Sequence, residues 1–218
     1  MPPPVSRLVV ASVGFAVALI AARIAVTGDL QFAFLLWNLF LASVPLVLSR
    51  GLARFERPGW LALGVGSAWL LFFPNAPYIL TDLVHLRVRP EAPYWFDLVL
   101  LLAAAWSGML VGMVSLAEVH GTVRRWYGAR VGWSVAVGAL ALGSFGVYLG
   151  RVLRWNSWDV LTAPGALLGD VAAPLLDPFG HPRAVGMTLL FSVLLTLCYL
   201  ALRPLTDRAT AAADATAP

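Results

Sequence analysis

Six long apolar runs dominate this sequence, and each approaches the length that a helix needs to cross a lipid bilayer. The runs cover residues 5–26, 30–49, 59–73, 95–117, 131–150 and 184–202. A bilayer core about 30 Å thick takes roughly 20 apolar residues of helix. Only 12% of the residues are charged, about half the usual share in soluble domains. We therefore predict an all-α fold, a polytopic transmembrane helical bundle of about six spans.

The chain is short enough for one compact membrane domain, which we predict over residues 1–205. The first run resembles a signal peptide with Arg7 in its basic flank, but its length and Arg23 near its end favour a retained anchor. Residues 206–218 are rich in Ala, Thr and Asp, and we predict a disordered C-terminal tail there. The single cysteine, Cys198, excludes a disulfide within one chain.

The arginines predict which way the spans point, because short cytoplasmic loops accumulate positive charge. With a cytoplasmic N-terminus, nine arginines fall on the inner side: Arg7, Arg50, Arg54, Arg57, Arg124, Arg125, Arg130, Arg203 and Arg208. Six fall on the outer side: Arg23, Arg87, Arg89, Arg151, Arg154 and Arg183. We therefore expect a multi-pass protein of the cytoplasmic (inner) membrane with both termini cytoplasmic.

The stretch FFPNAPYILTDLVHL, residues 72–86, interrupts the third run. Residues 59–73 make only about 22 Å of helix, too short to cross, whereas a helix extended to residue 86 would measure about 42 Å. Pro74 and Pro77 each remove a backbone donor and disfavour helix at the preceding residue. The sequence predicts a third span broken at Pro74/Pro77, near Asn75, with a short helix restarting over residues 77–86.

The restarted helix carries polar side chains on one face. Asp82 lies four residues after Tyr78 and three before His85, which places the three side chains together. A membrane helix is interrupted only where protein or a water-filled cavity satisfies the freed backbone groups. The break thus predicts a polar cavity at the outer side, and an interfacial elbow with a solvated Asp82 is the alternative.

A second informative stretch, GSFGVYLGRVLRWNSWDVLT, covers residues 143–162. Gly143, Gly146 and Gly150 would let a neighbouring helix approach closely. Arg151 and Arg154 lie one turn apart, and guanidinium groups suit the oxygens of phosphate or carboxylate. After this stretch, the Pro- and Gly-rich residues up to position 183 predict an interfacial or re-entrant segment.

Both stretches leave the membrane on the same side, so we expect their polar groups to share one outward-facing pocket. The candidate pocket residues are Asn75, Tyr78, Asp82, His85, Arg151, Arg154, Asn156, Trp158 and Asp159. Its ligand would be an anionic or lipid-linked envelope molecule, beside the membrane lipid itself. Two alternatives stay open: a small proton- or ion-coupled transporter or channel protomer, and a non-catalytic accessory or assembly protein.

Asp82 and His85 could also offer two ligands to a divalent metal, with Asp97 or Asp159 as a third. An isolated Asp/His pair is a weak signal, and we predict no metal and no cofactor. The sequence has no phosphate-binding loop and no dinucleotide fingerprint, and we expect no nucleic-acid partner. Whether the protein is an enzyme, and which oligomeric state it adopts, are not predicted.

The segments PNAPYILTDLVHL and LGRVLRWNSWD resemble the signature segments of the bacterial membrane family catalogued as domain of unknown function 1361. The segment WNLFLASVPLVLS, residues 37–49, is similar to the second span of that family. The resemblance covers roughly residues 37–178. It implies a bacterial integral membrane protein with no established activity.

Overall fold

A computed structural model describes residues 3–214, with side chains described for residues 5–204. The described chain is helical apart from short connections and one isolated bridge between Arg89 and Ala92. Six helices are long and apolar enough to cross a membrane, which confirms the predicted fold class. Five of them are α1 (Pro3–Thr27), α2 (Phe34–Ala53), α5 (Tyr94–Tyr127), α6 (Ala129–Val152) and α9 (Pro182–Asp214). The other is the interrupted segment Trp60–His85, which begins with α3 (Trp60–Phe72).

Helix α5 is the centre of the bundle, with α1, α2, α6 and α9 packed around it. It is 34 residues long, about 51 Å at the rise of an α-helix. Its apolar part is mostly buried against the other helices, whereas the sequence predicted a span only over residues 95–117. The helix continues because Glu118 and His120 find buried partners, Ser49 and Tyr199, on neighbouring helices.

The bundle has two ends, which we name after their buried acids. The Asp82 end holds the end of α1 and the start of α5, joined by Arg23 and Asp97. It also holds the end of α6, which reaches Asp82. The Glu118 end holds the end of α2 and the later part of α5. Titratable side chains thus gather at both ends and leave an apolar middle.

The third span is interrupted near Pro74, as the sequence predicted. Helix α3 ends at Phe72, a turn follows at Phe73 and Pro74, and the short helix α4 (Asn75–Tyr78) comes next. The chain then continues as a 3₁₀ helix over Ile79–His85. The sequence predicted a short helix over residues 77–86; the helical segment after the break begins at Asn75 and is mainly 3₁₀.

The interrupted segment fits against α6 because that helix presents glycines to it. A Cβ atom added at Gly146 would lie 2.5 Å from Cγ of Pro74, which leaves no room for a side chain. The other two glycines of this row, Gly143 and Gly150, face the rings of Phe73 and Tyr78 in the same way. The glycine row of α6, which was predicted to allow a neighbouring helix to approach closely, therefore packs against the interrupted segment.

Helix α5 provides a second glycine surface on the opposite side of the break. A Cβ atom at Gly108 would lie 2.8 Å from the backbone oxygen of Ala76, and one at Gly112 would lie 2.8 Å from its Cβ. The break is wedged between two helices at backbone distance. Its position, and that of Asp82 just beyond it, is consequently fixed by packing on both sides.

After α6 the chain forms the short helices α7 (Asp159–Thr162) and α8 (Pro164–Leu176). Helix α8 has 13 residues, about 20 Å of helix, too short to cross a bilayer. Leu168, Leu175 and Leu176 on it are largely exposed, and the interfacial or re-entrant placement stays a prediction. Helix α9 reaches Asp214, past the start of the tail predicted to be disordered, while residues 215–218 lie outside the described chain.

Candidate functional site

Asp82 is the most deeply buried acid of the candidate pocket, with 2% of its surface exposed. Arg151 on α6 donates a hydrogen bond from its terminal nitrogen to Oδ1 of Asp82. Asn38 on α2 donates to the other carboxylate oxygen at 2.8 Å. Three separate parts of the chain therefore meet at one carboxylate, whose two oxygens are hydrogen-bonded by a guanidinium and an amide.

Arg151 is held by more than its ion pair. Its Nε donates to the hydroxyl of Thr81 at 2.7 Å, and its guanidinium lies over the ring of Tyr78 at 4.4 Å from the centroid. Such a cation over an aromatic face contributes roughly 0.5–2 kcal/mol, depending on desolvation. The side chain is 22% exposed, so one edge of the guanidinium remains accessible from the pocket.

His85 lies at the rim of this cluster. Its Nε2 is 4.0 Å from Oδ1 of Asp82, and the side chain is 42% exposed. The ring meets Phe34 edge-on at 5.1 Å. The third ligands considered for a metal do not join the pair, because Asp97 is bonded to Arg23 and Asp159 to Asn156.

A polar cavity of about 630 Å³ opens beside Arg151, between α2, the interrupted span, α6 and the residues that follow α6. Five of the predicted pocket residues line it: Asn75, Tyr78, Arg151, Arg154 and Asn156. Asp82 and His85 stand behind Arg151 and do not line it, and neither do Trp158 and Asp159. The structure also brings Asn38, Trp155 and Ser157 to the cavity wall; these three were not among the predicted pocket residues.

Asn75 satisfies backbone groups that the break sets free. Its side-chain amide donates to the carbonyl of Phe72 at 2.9 Å and to the hydroxyl of Ser157 at 2.9 Å. Ser157 in turn donates to the carbonyl of Leu71. The loop after α6 thus completes the hydrogen bonding of the interrupted span, as a break at membrane depth requires.

Arg154 follows the end of α6 and has a strained backbone conformation. Its φ angle is 64°, in the left-handed region that costs a residue with a Cβ roughly 1–2 kcal/mol. The backbone N–H of Trp155 returns to the carbonyl of Leu149 at 3.1 Å. Arg154 is exposed, lines the cavity, and makes no hydrogen bond or ion pair within the part of the chain that the structure describes.

Asp159 organises its own turn instead of facing Asp82. Its Oδ2 accepts the backbone N–H of Asn156 at 2.7 Å, and its Oδ1 accepts the hydroxyl of Thr162 at 3.0 Å. The hydrogen bond from the Asn156 backbone lowers the pKa of the Asp159 carboxyl below its ordinary value. Trp158 lies next to it and is 41% exposed. These residues shape the loop around the cavity but do not touch the Asp82 cluster.

A second buried cluster at the Asp82 end was not predicted. Asp97 on α5 accepts from Arg23 on α1 at 2.9 Å and pairs with Arg89 at 3.4 Å. Both arginines lie over the ring of Phe32. Arg23 lies at the end of the first predicted span and Asp97 at the start of the fourth. These two ends are on the same side of the membrane, which was the available signal for the pairing.

The family to which this chain belongs follows from its sequence. No curated protein and no solved structure matches the chain. One family model, described as a protein of unknown function (DUF1361), matches residues 37–198, a segment that contains the interrupted span, the Asp82 cluster and the polar cavity. The chain is a multi-pass membrane protein and belongs to the DUF1361 family of proteins of unknown function.

Proposed function

We propose that this protein binds the anionic group of an envelope lipid or lipid-linked precursor in the polar cavity, on the outer face of a bacterial cytoplasmic membrane. The observation that carries the proposal is Arg154, an exposed cation with a left-handed backbone at the cavity wall and no bonding partner in the described chain. Glycine would adopt this backbone conformation without strain. The chain has an arginine there instead, which puts a positive charge at the cavity wall.

The charge of the cavity favours an anion. Arg151 and Arg154 line it, whereas the carboxylate that balances one of them, Asp82, is buried behind the wall. A phosphate monoester carries about −1.5 to −2 charges at neutral pH, and both guanidinium groups suit its oxygens. Asp82 acts in this proposal as the group that fixes Arg151, and not as a ligand for the bound molecule.

A binding or enzymatic site fits the cavity better than a transport path. The residues that line the cavity include Asn38 and the apolar side chains of Leu41, Leu70 and Leu142, and no acid is among them. Transporters place ionisable groups near the bilayer midplane, and the described acids of this bundle lie at its two ends. The proposal therefore assigns recognition of an anion to this site, without ion translocation.

Titration of the purified full-length protein with geranyl phosphate, and with geraniol for comparison, tests the proposal. Arg154→Gln keeps a side chain with a Cβ in the strained position and removes only the charge. Since a hydrogen bond to a charged group contributes about 1.5–3 kcal/mol, we expect the Kd for geranyl phosphate to rise about 10- to 100-fold. Arg183→Gln, an exposed arginine of α9 outside the cavity, should leave it unchanged.

Two results would contradict the proposal. Equal affinity for geraniol and geranyl phosphate would mean that the anion is not recognised. An unchanged affinity in Arg154→Gln, or an equal loss in Arg183→Gln, would mean that Arg154 does not recognise it.

The orientation in the membrane is part of the same proposal and has its own test. In a Cys198→Ala background, single cysteines at the exposed positions Glu56 and Ala129 would lie on the cytoplasmic side and resist an impermeant thiol reagent in intact cells. A cysteine at the exposed Glu91 would react. Labelling at Glu56 and Ala129 with protection at Glu91 would place the polar cavity on the cytoplasmic face.

A further inference from the structure

A second cavity adjoins the polar cavity on the side of the Glu118 end of the bundle. We call it the apolar groove; its volume is about 420 Å³ and it lies between α3 and α6, with α5 behind. Leu70 on α3 and Leu142 on α6 line both the groove and the polar cavity. The two spaces therefore adjoin at these leucines, and we call the two together the recess.

The recess is nearly as long as a bilayer is thick. On α6 its lining runs from Val131 in the groove to Gly150 in the polar cavity, a distance of about 28 Å along the helix. The hydrocarbon core measures about 30 Å. A chain of ordinary acyl length reaches from one surface only to about the midplane, so it would fill roughly half of the recess.

The chemistry changes once along the recess, from cationic to apolar. Arg151 and Arg154 stand at one end, and beyond Leu142 the groove is lined almost wholly by apolar side chains. Two glycines widen it: a Cβ atom added at Gly66 or at Gly138 would meet no atom within 4 Å. An anionic head followed by one long, thin hydrocarbon chain complements this order of charge and shape.

We infer that the occupant of the recess is a polyisoprenyl phosphate, with its phosphate at Arg154 and its chain laid along the groove past the midplane. This inference rests on the anion-binding function proposed above and adds the class of chain. It commits the groove to a single prenyl chain entering from the polar cavity. The competing occupant is the acyl chain of a phospholipid from the leaflet at the Glu118 end.

The test compares chain lengths in the purified full-length protein, with undecaprenyl phosphate and geranyl phosphate as probes. We expect the native protein to bind the long phosphate at least about tenfold more tightly, a discrimination that one or two methylenes give in an apolar pocket. Gly66→Leu and Gly138→Leu place bulk in the groove at positions where an added Cβ atom meets no atom within 4 Å. These variants should lose the preference and keep their affinity for geranyl phosphate.

Gly64→Leu is the matched control for Gly66→Leu. Gly64 lies on α3 like Gly66, is equally free of neighbours, and does not line the groove. It should behave like the native protein. The preference of the native protein needs no variant, and it remains decisive if a leucine variant fails to fold. Equal affinity for both phosphates would overturn the inference and leave the anion site intact.

Two further outcomes separate the competing explanations. Suppose that the leucine variants weaken binding of dioleoyl phosphatidic acid and that Arg154→Gln has no effect on it. The groove would then hold a phospholipid of the other leaflet, and the inference would be wrong. If Arg154→Gln leaves geranyl phosphate binding unchanged, the anion-binding function itself fails, and the prenyl assignment fails with it.

Discussion

Replacing the members of the Asp82–Arg151 pair singly and together tests whether the pair stabilises the fold as a unit. Breaking a buried ion pair by removing one partner costs about 3–5 kcal/mol, because the other charge is left uncompensated. Asp82→Asn leaves an arginine that is 22% exposed, so we expect a loss near the lower limit, about 3 kcal/mol. Asn38 can still donate to the new amide.

Arg151→Gln should cost more, about 4 kcal/mol. It leaves a carboxylate that is only 2% exposed without its cation, and it removes the contact with the Tyr78 ring. The double variant carries two amides that can bond to one another, and no buried charge remains uncompensated. We expect it to lose about 4 kcal/mol, so the coupling between the two positions would be about 3 kcal/mol.

The assay is reversible unfolding of the purified full-length protein in mixed micelles, titrated with sodium dodecyl sulfate and followed by circular dichroism. Arg183→Gln, which removes an exposed arginine, should change the free energy of unfolding by less than about 0.5 kcal/mol. Losses that simply add, to about 7 kcal/mol in the double variant, would refute the reasoning. The two side chains would then not depend on one another in the folded protein.

Two further predictions concern the packing of the break and the loop after α6. Gly146→Ala should lower the free energy of unfolding by about 1–3 kcal/mol, because its Cβ would meet the Pro74 ring at 2.5 Å. Gly138→Ala is the control, because a Cβ at that position meets no atom within 4 Å. Equal melting temperatures of the two variants would contradict the packing argument. The Asn156 hydrogen bond lowers the pKa of Asp159, so its stabilising contribution is present above about pH 4 and lost as the pH falls through the lowered pKa. Asp159→Asn should remove that acid dependence from the melting temperature. If the pH profile of the variant matches that of the native protein, Asp159 does not contribute to the acid dependence.

Hydropathy predicted the number of spans because a bilayer sets their length, but it did not predict where the helices end. Helix α5 was expected to stop near residue 117, where the apolar run ends. It continues to Tyr127 because Glu118 accepts a hydrogen bond from Ser49 at 2.7 Å, a contact between residues 69 positions apart. Pairings of this kind are invisible in local sequence, whereas Pro74 and Pro77 act locally and marked the interruption correctly.

The candidate site was likewise predicted only in part from the sequence. Asp82 and Arg151 were expected to face one another because both follow the ends of spans on one side, and an ion pair forms between them. Asp159 was expected to join them and instead caps its own turn through Asn156. Local hydrogen bonds compete with long-range ones for the same carboxylate, and the sequence offers no measure of which prevails. Asn38 was not among the predicted pocket residues, and its side chain reaches Asp82.

The pairing of Arg23 with Asp97 has a consequence for how the protein is made. The two residues are 74 positions apart, so at about 5–20 residues per second the arginine is synthesised about 4–15 s before its partner. During that interval Arg23 must keep its charge at the lipid–water interface, since an arginine deep in hydrocarbon is costly. The end of the first helix that carries Arg23 therefore remains at the membrane surface until α5 is inserted. The pairing of Arg23 with Asp97 then fixes the position of the first helix in the bundle.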